Sequence, residues 1–140
     1  NWSDQRNGLS DTDIWMIYSD DHGESWSRST KVNQDDSGRH QFFTWFDVDQ
    51  SDGSIYVVYY DRRDTEGNAT DVYLSASSNG GLSFTDFKIS ESSFTPSSKV
   101  FFGDYNNISV SEGHIRPIWT RYENNKLSIW TAIINAAELD

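Results

Sequence analysis

The chain of 140 residues has the size of one domain, and a hydrophobic fraction of 35% is sufficient for a folded core. The formal net charge of −11 argues against binding to duplex nucleic acid or to an anionic membrane surface, because both need basic residues. The absence of Cys excludes disulfides and thiol chemistry, and no apolar run reaches the roughly 20 residues of a membrane helix. Aromatic residues make up 15% of the chain, which favours strands.

The first 39 residues are predicted to contain the end of a repeating unit. Asp13–Trp26 aligns without gaps with Asp71–Phe84 at an offset of 58 residues, and Trp2–Arg6 matches Tyr60–Arg63. The chain is therefore expected to begin inside a second strand at Asn1–Trp2. Since it starts with neither an initiator Met nor a signal peptide, we expect it to be a piece of a longer protein.

Residues 40–99 are predicted to form one complete repeat of four antiparallel strands. The predicted strands are Phe42–Val48, Ser54–Asp61, Thr70–Ala76 and Ser83–Ile89. Asp52-Gly53 predicts a hairpin turn between the first two strands, because Gly accepts a positive φ at little cost. Apolar residues occupy both faces of Ser54–Asp61, so this strand is expected to be buried on both sides.

Residues 100–140 are predicted to begin a third repeat, because Trp119–Tyr122 and Leu127–Ala132 repeat the same two-strand pattern. The predicted strands are Tyr105–Val110, His114–Thr120 and Lys126–Ile134. No fourth strand follows within the sequence. A turn near Ala136-Ala137 is the only helical structure that we expect.

The most specific motif is a turn with the pattern Ser-x-Asp/Asn-x-Gly-x-Ser-Trp/Phe. Its Asp or Asn can accept hydrogen bonds from backbone N–H groups of the same turn, and its Gly allows a conformation that a Cβ would resist. The aromatic residue is expected to pack under the turn. The residues in these structural roles are Ser19, Asp21, Gly23 and Trp26 in one turn and Ser77, Asn79, Gly81 and Phe84 in the other.

This motif resembles the Asp-box, or BNR repeat, of sialidases and related β-propellers. Four strands per repeat are typical of a propeller blade. The resemblance implies an all-β chain of about two and a half blades (residues 1–39, 40–99 and 100–140) from a propeller of six or seven blades. It also places the turns on the outer rim, in a structural role; a calcium or sugar contact there is the alternative.

The resemblance implies a nucleophile and an anion clamp for substrate. Tyr105-Asn106-Asn107-Ile108 stands where sialidases carry Tyr-Ser-x-Leu, which makes Tyr105 a candidate nucleophile; a channel-lining Tyr is the alternative. Sialidases hold the substrate carboxylate with an arginine triad. The candidates for anion contact are Arg62, Arg63, Arg116 and Arg121.

Some candidate residues have competing interpretations. Arg63 lies between two Asp residues, which favours a surface salt bridge. Asp47 and Asp104 are expected to face a ligand near the inner strands, but they could also cap turns. Arg116 is expected either to reach Asp104 or to lie exposed.

Calcium is the one cofactor that the acidic turn leaves open. Asp47–Gly53 resembles the start of an EF-hand loop, but its Gly falls one place late and no Glu stands at position twelve. A plain hairpin turn is therefore favoured. The three His residues fit no spacing of metal ligands.

Taken with the resemblance, the sequence predicts part of an exported protein that acts on or binds glycans. The alternative is a non-catalytic segment that serves structure or protein interaction, because one fold hosts many functions. The expected partners are a glycan and either the remaining blades of a parent chain, which could supply the missing fourth strand, or further copies pairing at exposed strand edges. The expected location is secreted, periplasmic or on the cell surface, and the chain alone is expected to be inactive.

Overall fold

The computed structural model describes residues 1–102 and 105–139 of the chain. Within these residues the chain is all-β, as predicted: its strands form three antiparallel sheets. The only helix in this part of the chain is a 3₁₀ turn at Ala136–Glu138, where the sequence predicted one. None of the described residues belongs to a helix that is long and apolar enough to cross a membrane.

Sheet 1 has three short strands in chain order. They are β1 (Trp2–Asp4), β2 (Asp13–Met16) and β3 (Thr30–Lys31). Trp2 of β1 lies opposite Trp15 of β2, so two large rings stand side by side on one face.

Sheet 2 has four strands in chain order, which confirms the predicted four-strand repeat. They are β4 (Gln41–Val48), β5 (Ile55–Asp61), β6 (Asp71–Ser77) and β7 (Thr85–Lys88). A β-bulge interrupts β4 between Phe42 and Trp45, and Phe43 within it has a φ of 53°. Few residues other than Gly adopt such a φ, so the bulge redirects the inner strand at a conformational cost.

Sheet 3 is built around β9 (His114–Glu123), which pairs on one edge with β8 (Asn107–Ser111). Its other edge pairs with β10 (Lys126–Thr131) and then, in the same register, with β11 (Ile134–Asn135). The third predicted strand is therefore confirmed, with an interruption near its end. The predicted first strand begins two residues too early, because the Asn107 side chain accepts the N–H of Ile108 at the strand's start and Tyr105 lies before it, and it ends one residue too early.

Sheet 2 lies between the other two sheets, because alternate residues of β5 enter different cores. Val57 and Tyr59 pack with Ile14 and Met16 of sheet 1. The opposite face of sheet 2 packs on sheet 3, in a second cluster. Its buried members are Tyr56, Val58, Tyr60, Val72, Leu74, Phe94, Ile108, Val110, Ile115 and Trp119. The prediction that the second strand is buried on both sides is confirmed.

Two neighbouring strands of each sheet pair in a corresponding register. In each, an aromatic residue of one strand lies opposite an aromatic residue of the next. The pairs are Trp2 and Trp15, Tyr59 and Tyr73, and Trp119 and Trp130. This correspondence fixes which residues of the three sheets occupy equivalent positions.

Candidate functional site

The two repeated turns, Ser19–Trp26 and Ser77–Phe84, have matching hydrogen bonds. Ser25 N–H donates to Asp21 Oδ1 at 2.9 Å, and Ser83 N–H donates to Asn79 Oδ1 at 3.1 Å. Hydrogen bonds from the Ser25 hydroxyl and N–H lower the pKa of Asp21 to about 2. The predicted role of Asp21 and Asn79 as acceptors within their own turns is confirmed.

The glycines and serines of both turns also match. The N–H groups of Gly23 and Gly81 donate to Ser19 Oγ and Ser77 Oγ, at 2.8 and 3.0 Å. Both glycines have a positive φ, of 90° and 82°. A residue with a Cβ would be strained there, which is the physical reason for Gly in the motif.

The aromatic residues of the two turns differ in environment. Phe84 is 6% exposed and packs with residues of sheet 1, whereas Trp26 is 60% exposed. The prediction that the aromatic residue is an anchor under the turn holds for Phe84 and is wrong for Trp26 within this chain. The reason is position: sheet 1 covers the face of sheet 2 that holds Phe84, and no further sheet among the described residues covers the equivalent face of sheet 1.

Arg63 is the centre of a buried ion network. Its side chain is 11% exposed and lies 2.7 Å from both Asp61 and Asp86, with Asp35 at 3.7 Å. Burial alone would lower the pKa of Arg63, but the hydrogen bond and charge of Asp61 raise it above its ordinary value. The expected surface salt bridge is therefore wrong in location, because the pair lies between sheets 1 and 2.

The other candidate arginines have separate partners. Arg62 lies over the Phe42 ring at 4.9 Å and donates to Thr70 Oγ1. Arg116 is exposed, as one alternative predicted, and donates to the backbone carbonyls of Ile115 and Ile134. Among the described residues Arg62, Arg63 and Arg116 share no hydrogen-bond partner, and their contact with an anion stays a prediction.

Asp47 and Asp49 join sheet 2 to sheet 3. Val110 N–H donates to Asp47 Oδ2 at 2.8 Å, and Gly113 N–H donates to Asp49 Oδ2 at 2.6 Å. Hydrogen bonds from Ser51 and then from Gly113 lower the pKa of Asp49 to about 2. Asp47 thus accepts a backbone amide of β8, and Asp49 accepts one of the turn that follows β8, so both carboxylates bind backbone N–H groups of the neighbouring sheet.

A calcium ion at this acidic turn stays a prediction. No three Asp, Glu or His side chains of residues 1–102 and 105–139 are grouped in a way that could hold a metal ion. Asp104, the other acidic candidate, lies outside the described residues.

A shallow pocket of about 190 Å³ lies at the junction of β4 with sheet 3. Its lining combines aromatic, amide, hydroxyl and apolar side chains. The lining residues are Trp45, Tyr105, Asn106, Asn107, Ile118, Trp119, Thr120 and Ile129. Tyr105, the candidate nucleophile, is 82% exposed at its rim.

Asn106 is the buried polar residue of this pocket. It is 4% exposed, and its Nδ2 donates to the Phe43 carbonyl at 2.8 Å across the two sheets. Its Oδ1 has no hydrogen-bond partner among the described residues. Such an acceptor is costly to bury unless a ligand or water binds it.

Sequence reasoning identified Tyr105 but not Trp45, Asn106 or Thr120 as neighbours. The Asn106-Asn107 pair beside Tyr105 was a visible polar signal. The bulge of β4 gave none, because no Gly marks it.

Comparisons of the chain with protein-family models, curated proteins and solved structures find no match.

Proposed function

We propose that each of the three sheets is a blade of a β-propeller of the Asp-box, sialidase-like class. The support is that the sheets stack in one direction. Ile14 of sheet 1 packs on the face of sheet 2 that holds Tyr59 and Tyr73, and the opposite face of sheet 2 packs on the face of sheet 3 that holds Trp119. A stack in which the same two faces always meet can close into a ring.

Exposed apolar residues on the two outer faces of the stack favour the presence of further sheets on both sides. Trp26 is exposed on sheet 1, where its counterpart Phe84 is covered. On the far face of sheet 3, outside the lining of the pocket beside Tyr105, Leu127 is exposed. We propose that either the remaining blades of a longer chain or other copies of this chain cover these apolar faces, since such faces are rarely left in water.

Self-association in solution tests whether copies of this chain cover the outer faces of sheets 1 and 3. Head-to-tail contact would appear in analytical ultracentrifugation as a sedimentation coefficient that rises with protein concentration. Trp26→Ser should weaken this association, and Glu66→Gln, an exposed change in the loop between β5 and β6, is the control. A chain that stays monomeric at ~100 μM would show that other copies do not cover the faces.

For the pocket beside Tyr105 we propose carbohydrate binding. A sugar offers C–H faces to aromatic rings and hydroxyls to amides, and Trp45, Tyr105 and Asn106 together offer those contacts. The unpartnered Oδ1 of Asn106 is the observation that carries this proposal, because a sugar hydroxyl would satisfy it.

We propose binding rather than hydrolysis for this chain. Glycoside hydrolysis needs a proton donor as well as a nucleophile or base. The described lining of the pocket contains no Asp or Glu, and Tyr105 is its only titratable side chain. A sialidase-like enzyme would need residues supplied from elsewhere in a longer parent. The resemblance also carries the proposal that the protein works outside the cytoplasm.

Saturation-transfer NMR tests the binding proposal with a panel of neutral and sialylated oligosaccharides. We expect at least one sugar to bind, and Trp45→Ala to weaken it by about tenfold or more. Trp26→Ala is the matched control, because it removes an exposed Trp that lies outside the pocket. Absence of binding across the panel, or equal effects of the two variants, would refute the site.

Hydrolysis is measured separately with a fluorogenic sialoside. We expect no turnover by the chain. Turnover that Tyr105→Phe abolishes would replace the binding proposal with catalysis.

A further inference from the structure

Each sheet places an Arg over an aromatic ring of the next strand. The guanidinium Cζ lies 3.8 Å from the Trp15 ring for Arg6, 4.3 Å from the Tyr73 ring for Arg63, and 4.9 Å from the Trp130 ring for Arg121. Trp15, Tyr73 and Trp130 are equivalent by register. The three arginines thus occupy corresponding places, although Arg121 reaches its place from two residues earlier along its strand.

In sheet 2 the fourth strand neutralises this Arg. Asp86 of β7 lies opposite Ser75 of β6 and accepts from Arg63 Nη1 at 2.7 Å. The same carboxylate also accepts from Ser75 Oγ and, across the sheet interface, from Gln34 N–H, each at 2.7 Å. One carboxylate on β7 therefore satisfies three donors between sheets 1 and 2.

In sheet 3 the equivalent Arg lacks that carboxylate. Arg121 is 3% exposed; its Nη groups donate to Ser92, and its contact with Glu123 is 3.2 Å. Arg121 Nε and Trp119 Nε1 are buried donors with no partner among the described residues. An unpaired buried donor is expensive, and one on a cation more so.

These two donors belong to residues that line one pocket of about 300 Å³. Trp130, Ala132 and the exposed Glu91 also line it, and Glu91 makes no hydrogen bond to Arg121. The pocket borders β10, whose six residues are all exposed. No fourth strand pairs with β10 in the described part of the chain, so a strand edge lies beside a pocket that is lined by Arg121.

We infer that the free edge of β10 binds one extended peptide strand that carries an Asp or Glu side chain into the pocket of Arg121. By register, Ala132 is the counterpart of Ser75, so the acidic residue would stand opposite Ala132 as Asp86 stands opposite Ser75. The strand's backbone pairs with β10, and its carboxylate accepts from Arg121 Nε and Trp119 Nε1. This inference rests on the internal repeat and is independent of the proposed carbohydrate role.

The chain itself supplies the probe. A peptide with the sequence of residues 83–92 contains β7 and Asp86. Titrated into the full chain, it should shift backbone amide signals of β10 in NMR spectra, with a Kd at or below about 1 mM. The same peptide with Asp86→Asn should bind about tenfold more weakly, because it lacks the charged acceptor.

Arg121→Gln in the chain should remove the difference in affinity between the two peptides. The two peptides and the two forms of the protein make a double-mutant cycle, which isolates the Arg121–carboxylate interaction. The peptide comparison needs no change in the protein and remains decisive if that variant does not fold. The inference is overturned if the Asp peptide does not bind at 1 mM, or if both peptides bind equally. It is also overturned if acetate, as a free carboxylate, displaces the peptide at equal concentration, because the site would then bind small anions.

Discussion

Phe84 and Trp26 stand at the same place in two turns of the same sequence pattern, and the chain thereby contains its own control for the effect of burial. We expect Phe84→Ala to destabilise the protein far more than Trp26→Ala. The two residues are 58 positions apart, and the hydrogen bonds of their turns match. The variants therefore differ mainly in what covers the ring.

The free-energy cost of each substitution follows from the exposed fraction of the ring that it removes. Phe84 is 6% exposed and packs in the core between sheets 1 and 2, so its removal costs transfer free energy and leaves a cavity, together about 3–5 kcal/mol. Trp26 is 60% exposed. Its buried part is on the order of 100 Å², which at about 25 cal/mol per Å² gives at most about 2.5 kcal/mol without a cavity.

Urea unfolding followed by circular dichroism measures both free energies without using Trp fluorescence. The measurement should be made at low protein concentration, so that association through sheet 1 does not bury Trp26. A Trp26→Ala cost as large as that of Phe84→Ala at every dilution would contradict the reasoning. It would mean that the outer face of sheet 1 is covered within a single chain.

Three further expectations use the same unfolding assay. Tyr60→Phe should cost about 1–3 kcal/mol, because the Tyr60 hydroxyl bridges sheets 2 and 3: it donates to the Thr120 carbonyl and accepts from the Thr120 N–H. No loss of stability would mean that water replaces the hydroxyl. Arg63→Met should cost about 3–5 kcal/mol, because it leaves buried carboxylates unpaired. Arg6→Met should shift the urea midpoint less, because the side chains of its ion pair with Asp4 are 39% and 29% exposed. Asp49 has a folded pKa of about 2, below the roughly 3.9 of an unfolded Asp, so its contribution is complete above about pH 4 and is lost as the pH falls towards 2. Asp49→Asn should flatten the pH dependence in that window, and an unchanged profile would show that Asp49 does not cause it.

Much of the fold could be predicted from the sequence, because its signals are local. Apolar residues on both faces of β5 predicted a strand between two layers, and both cores exist. The Ser-x-Asp/Asn-x-Gly pattern predicted turns whose donors and acceptors lie within four residues of each other. Alternation in a strand and hydrogen bonding in a tight turn depend on neighbours in the chain, so they can be read without the fold.

Only the tertiary structure decided how the candidate residues are used. Arg63 was expected at the surface, but Asp86, 23 residues later, and Asp35 of the preceding segment enclose it. Asp47 was expected to face a ligand, yet it accepts an amide 63 residues away. These partners come from other strands and sheets, and no spacing in the sequence encodes such distances.

The two pockets show most clearly what the sequence determined and what the tertiary structure decided. Tyr105 and Arg121 were visible as candidates, but the unpartnered atoms that give each pocket its chemistry belong to Asn106, Trp119 and Arg121 itself. Whether a buried polar atom has a partner depends on which strands surround it. The residue type alone determined what each side chain can donate or accept; the packing of sheet 2 against sheet 3, and the open edge of β10, determined which of those groups remain available.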